Sequence, residues 1–116
     1  MIHPHGPAKL TLAEAPAGRL GETLLIRGRQ MGLRMWDESP ANTPKGEATR
    51  PYETVGYVLS GHARLVHPGG TLDLGPGDSY LVPRETPHRY EILEPFIALE
   101  ATSPAQAPLL VAERES

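Results

Sequence analysis

Of the five histidines in the chain, His88 carries the clearest chemical promise: it closes the stretch GDSYLVPRETPH, and Tyr90 follows two residues later. Side chains alternate between faces along a strand, so His88, Tyr90 and Ile92 share one face. By the same parity Arg50 and Thr54 share a face that continues through Gly56 and Val58. An imidazole ligates metal or moves a proton near neutral pH, and a guanidinium suits planar carboxylate partners but equally suits a surface. Arg50 therefore meets a carboxylate, binds an anion or reaches water, because a buried unpaired Arg is rare. No acid that would orient His88 is readable nearby, so cavity lining is a better reading for it than catalysis. Glu53 points to the opposite face and is expected to take a surface or hairpin role. His62 faces outward, and His3 and His5 belong to an N-terminal arm.

Short β-rich runs between turn residues must position these groups. Lys9–Ala13, Thr23–Arg27 and Met31–Trp36 read as early strands. On the last of these, Leu33 and Met35 share one face and Arg34 and Trp36 the other, with Trp36 and the Met31/Met35 pair expected in the core. Arg27 and Arg29 read as a solvated edge. Asp37–Gly46 reads as a long loop. Glu53–Ser60 is a strand ending at Gly61, with Ala63–His67 as its hairpin partner. Thr71–Leu74, Ser79–Val82, His88–Leu93 and Phe96–Ala101 complete about nine strands, and Gly75-Pro76-Gly77-Asp78 is the strongest turn signal. Residues 1–8 and 102–116 read as arms of a single domain, the second with an apolar patch at Leu109-Leu110-Val111.

Composition narrows the class further. Twelve Gly and thirteen Pro make up more than a fifth of 116 residues, which leaves little room for long helices. A net charge of −3 disfavours nucleic acid as a partner. Zero Cys excludes disulfides, thiolate metal sites and cysteine nucleophiles. The glycines form no phosphate loop, since no helix follows them. No apolar run approaches a membrane span. The opening Met1-Ile2-His3-Pro4-His5 carries no basic segment followed by an apolar one, so no signal peptide and a cytoplasmic location are expected.

Gly77–His88 resembles the second cupin motif, with Gly77, Pro83 and His88 at the family spacing, Glu85 at its second Gly and Ile92 at its Asn. Tyr57-Val58-Leu59-Ser60-Gly61 resembles the end of the first motif. The resemblance extends to small single-domain cupins that open the ring of unsaturated uronic sugars, through Ala48-Thr49-Arg50-Pro51-Tyr52-Glu53-Thr54 and Gly75-Pro76-Gly77-Asp78-Ser79-Tyr80. It implies an all-β fold: a single RmlC-like jelly-roll barrel of two antiparallel sheets. The metal ligands of those relatives are not kept: their two His positions hold Ala48 and Arg50, or Glu47 and Thr49 in the longer spacing, and Thr54 stands at the Gln position. No bound transition metal is therefore expected; His88 with Glu47 would be the remnant of a site.

The resemblance places His88, Arg50 and Thr54 on the barrel interior near its mouth, with Tyr90 or Tyr52 at the rim and Glu47 on the loop side. Three function classes follow. The first is a metal-free cupin binding a small anionic or sugar-like ligand. The second is a sugar-processing or isomerase-type enzyme, which needs an acid/base pair such as His88 with Tyr90 or Glu47. The third is a structural or regulatory module with its pocket filled. A homodimer is expected, with the N-terminal arm and early strands exchanged or paired, as the family resemblance implies.

Overall fold

The computed structural model describes residues 6–42 and 46–106. Its strands are β1 (Thr23–Arg27), β2 (Gly32–Glu38), β3 (Glu53–Ser60), β4 (Ala63–His67), β5 (Gly70–Leu74), β6 (Ser79–Val82), β7 (Arg89–Ile92) and β8 (Phe96–Ser103). They form a five-stranded sheet ordered β1-β2-β8-β3-β6 and a three-stranded sheet ordered β5-β4-β7, with every pairing antiparallel. The fold is the all-β, two-sheet barrel that the sequence leads one to expect. Among the described residues the only helical pieces are 3-10 turns at Leu12–Glu14 and Pro40–Asn42. No helix among them is long and apolar enough to cross a membrane.

Strand alternation builds the core. Along β3, Thr54, Gly56 and Val58 are buried while Glu53, Val55 and Tyr57 are exposed. Val58 meets Ala63, Leu65, Leu74, Tyr80, Val82, Ile92, Phe96 and Ala98 between the two sheets. Gly56 is required by close approach: a Cβ there would lie 2.2 Å from Cζ of Tyr80, the residue opposite it on β6. The Gly75–Asp78 turn forms as its residues predict, closed by Asp78 N–H to the Gly75 carbonyl at 3.0 Å and Gly75 N–H to the Asp78 carboxylate at 2.8 Å.

Several expectations are corrected. Lys9–Ala13 is no strand. Thr11 N–H donates to the Glu14 carboxylate and Glu14 N–H to the Thr11 carbonyl, both at 3.0 Å, and this local closure satisfies the backbone without a ladder. Eight strands therefore stand among the described residues. Ala63–His67 is not the hairpin partner of Glu53–Ser60. Gly61, at φ +85 with its Cα hydrogen side packed on the Pro95 carbonyl, turns the chain from one sheet into the other.

Asp37 and Glu38 extend β2 rather than opening a loop, paired with Ile97 and Phe96. Thr102 and Ser103 likewise extend β8 into what reads as an arm by composition. Met31 is 57% exposed, outside the core, because it sits in the turn where Gly28 N–H bonds its carbonyl. Met35 is half-buried on the outer face and Trp36 half-buried on the inner one. His3, His5 and Leu109-Leu110-Val111 lie outside the described residues.

Candidate functional site

Inward parity on β8 puts Glu100 in line with Phe96, Ala98 and Thr102, and Glu100 is 1% exposed. Such a carboxylate is tolerable only when its lone pairs are filled. One oxygen accepts from Arg34 Nε at 2.8 Å and Nη2 at 2.7 Å, and from Trp36 Nε1 at 2.9 Å. The other accepts from Tyr80 O–H at 2.5 Å and Tyr90 O–H at 3.3 Å. Arg34 also donates from Nη1 to Tyr52 Oη at 2.9 Å and to Gln106 Oε1 at 2.8 Å. Its head lies 5.3 Å from the ring centres of both Trp36 and Tyr52.

Burial opposes the charge on Arg34, but Glu100 and Tyr52 together outweigh it and hold the guanidinium protonated. Burial, seconded by the Glu100 carboxylate, pushes the phenols of Tyr80 and Tyr90 far above their ordinary range. Both tyrosines are therefore hydrogen-bond donors at any physiological pH.

Adjoining this network, and sharing Arg34, Trp36 and Tyr90 with it, lies a cleft of about 210 Å³. His88, Arg50 and Tyr90 all line it, together with Leu20, Arg34, Trp36, Ala48 and Arg89. Two backbone bonds pin the segment carrying Arg50 to the start of β7: Ala48 N–H to the His88 carbonyl at 2.8 Å, and His88 N–H to the Ala48 carbonyl at 2.9 Å. Glu85 N–H adds a third, to the Arg50 carbonyl at 2.8 Å.

His88 is 8% exposed, and its Nδ1 lies 2.8 Å from the Thr86 carbonyl. A carbonyl only accepts, so Nδ1 carries a proton there and the Nε2 atom is the one left for another partner. Tyr90 packs edge-on to the imidazole at 5.7 Å. Arg89 donates to Glu91 at 2.8 Å, whereas Arg50 has no carboxylate partner among the described residues.

The remaining candidates fall elsewhere. Tyr52 is buried in the Arg34 network rather than at the cleft rim. Thr54 is buried in β3 and does not line the cleft, and Glu47 is exposed, one residue off the parity of Ala48 and Arg50. The Tyr90 hydroxyl is directed to Glu100.

Among the described residues, the donor set of the cleft does not suit a transition metal: His88 is the one imidazole they bring to it, none of them places a carboxylate there, and Ala48 offers no side-chain donor atom. Among the described residues no three His, Asp or Glu side chains gather closely enough to hold one. The sequence reading missed Arg34, Glu100, Glu22 and Gln106. Arg34 had a signal, namely its shared face with Trp36.

The two-sheet barrel and the second-motif His88 at its mouth define a cupin. The chain belongs to the cupin domain family, which it matches over residues 38–101, more than half its length. No curated protein matches it by sequence. Among solved structures it is similar to an RmlC-like cupin from Shewanella frigidimarina, with a TM-score of 0.73 at 18% identity, covering 93% of this chain and 100% of that one. KdgF from a Halomonas species gives a TM-score of 0.65 at 20% identity over 77% of this chain and 83% of that one. The polyketide cyclase RemF from Streptomyces resistomycificus gives 0.67 at 21% identity over 93% and 89%. At these identities the likeness is one of fold, and the function of this cupin is not specified by it.

Proposed function

We propose that this cupin binds a small carboxylate-bearing molecule at the barrel mouth, in contact with Arg50 and His88 and without a transition metal. One observation carries the reading: Arg50 lines a cleft of about 210 Å³ to which the described residues bring no acidic side chain, and it has no carboxylate partner among them. An unpaired guanidinium in a partly desolvated cleft gains most from a planar anion, which accepts two of its N–H donors at once. Leu20, Trp36 and Tyr90 supply the apolar wall that such sites use to orient a ligand. The reading is tested by titrating pyruvate and D-glucuronate into the protein calorimetrically, against an Arg50→Gln variant. Binding by the wild type that is lost in the variant supports it. No binding at millimolar ligand, or equal binding by both, overturns it.

A second reading, an isomerase-type enzyme, is favoured by the Nδ1 contact of His88 with the Thr86 carbonyl, which leaves Nε2 as the ring atom available for proton transfer. Solvent deuterium entering a bound keto acid at carbon, abolished by His88→Gln, distinguishes turnover from binding. We further infer a cytoplasmic homodimer. The outer face of the larger sheet supports association, because Val55, Tyr57, Leu59 and Leu81 are each about half exposed there. Light scattering that returns the monomer mass at micromolar concentration overturns the dimer.

A further inference from the structure

Resting on the carboxylate reading, we infer that the site takes an extended dianion, with a second acidic group held by Arg19 in a groove continuous with the cleft. That groove, of about 570 Å³, is lined by Arg19, Leu20, Arg50, Pro51, Pro104 and Gln106 among others. Leu20 and Arg50 line both spaces, so a molecule whose carboxylate reaches Arg50 has the groove as its continuation. As in the cleft, no acidic side chain is among the described residues that line the groove. Arg19, like Arg50, has no carboxylate partner among the described residues. Two cations with no carboxylate partner among the described residues lie along one concave surface and favour an added anion, and Pro51 and Pro104 on its wall offer no backbone N–H to compete for it.

The groove is also held in shape from inside. Arg19 sits in a turn closed by Gly18 N–H to the Glu22 carbonyl at 2.7 Å and Gly21 N–H to the Gly18 carbonyl at 3.2 Å. Glu22, fully buried, accepts from Leu20 N–H at 2.9 Å and from the Gln106 side-chain amide. Gln106 in turn accepts from Arg34 at 2.8 Å, and its backbone N–H bonds Thr102 Oγ1 at 3.0 Å. One side chain thus clamps the Arg19 turn to the end of β8, the two walls of the groove. A wall fixed before binding loses less ordering entropy when the ligand arrives. This gives the buried Glu22 a role that core packing does not.

The experiment is a calorimetric chain-length series of linear dicarboxylates from succinate to suberate, with hexanoate as the one-ended control. A dicarboxylate of one preferred length binds about tenfold more tightly than hexanoate, the value of one charge-assisted hydrogen bond. Arg19→Gln removes that gain and leaves hexanoate affinity unchanged, and Arg19→Glu makes the dicarboxylate the weaker ligand. Arg19 is exposed, so both variants keep the fold. Equal affinity for the two ligand types, or no effect of Arg19→Gln, overturns the inference while the carboxylate reading stands. Failure of hexanoate and every dicarboxylate to bind overturns both.

Discussion

Arg34 and Glu100 stand directly opposite each other in the β2–β8 ladder and both point into the barrel, where Arg34 Nη2 lies 2.7 Å from the carboxylate. The pair fills the interior with a fixed cation and a fixed anion, each saturated by aromatic hydroxyl, indole and amide partners. In a barrel whose described residues bring one imidazole and no carboxylate to the cleft, this ion pair gives the inner face its polar order. It engages Arg34 and leaves Arg50 as a cation on the cleft with no carboxylate partner among the described residues.

Breaking that pair on one side strands a buried charge. Arg34→Met or Glu100→Gln alone is expected to destabilise the protein by about 3–5 kcal/mol, since the partner loses compensation but stays desolvated. The double variant recovers much of the loss. Urea unfolding of the three variants checks this, and single substitutions costing under about 1 kcal/mol would contradict a desolvated pair.

The two raised phenols set a limit in alkali. A tyrosine whose folded pKa lies above the unfolded value of about 10 stabilises the fold fully below that pH. The stabilisation is lost as pH climbs past 10 toward the raised folded values. Tyr80 and Tyr90 should therefore ionise with unfolding rather than within the native state. Absorbance at 295 nm and far-UV dichroism, followed together from pH 9 to 12.5, should show their share of the phenolate signal appearing with the loss of strand structure. Tyr80→Phe and Tyr90→Phe should each remove one share of it. Phenolate from these positions in a still-folded chain would refute the coupling.

How much of this was readable depends on the distance between partners. The alternation of β3, the Gly75–Asp78 turn and the placement of His88 beside Arg50 rest on local periodicity and motif spacing, and the structure brings those residues together. Arg34 could be put on the face of Trp36, but its partner lies 66 positions away on a strand that only the completed sheet brings alongside. A single strand pattern carries parity and no register, so Glu100 reads only as one more charge near the C-terminal end. The β3–β4 connection was misread for a similar reason. A Gly-bounded turn between two β-rich runs looks the same whether the chain folds back in one sheet or crosses to the other.

Glu85 occupies a family glycine position and has φ +62, in the left-handed region. A non-glycine residue there costs roughly 1–2 kcal/mol, while glycine costs roughly 0.5–1 kcal/mol in extra unfolded-state entropy. Glu85→Gly should therefore raise stability by about 0.5–1 kcal/mol, and the β-branched Glu85→Val should lower it by more than that. Thermal melts of both variants decide the matter. Loss of stability in Glu85→Gly would mean that the side chain makes up for its strained backbone.

The last expectation concerns metal, and it can be tested in both directions. Untagged protein should carry no stoichiometric zinc, nickel, iron or manganese, because His88 is the one imidazole that the described residues bring to the cleft and Arg50 presents a fixed positive charge beside it. A divalent ion there would face that charge in a partly desolvated setting where repulsion is poorly screened. Restoring donors should reverse this. Ala48 pairs directly with His88 across an isolated bridge, and both line the cleft with Arg50. Ala48→His with Arg50→His would set three imidazoles on one space while removing the cation. That double variant should bind zinc at one ion per chain by elemental analysis, and lose it again on His88→Ala. If the natural chain instead carries about one metal per subunit that His88→Ala abolishes, the ligand set has been misread. Arg50 would then be a bystander to a site built from residues elsewhere.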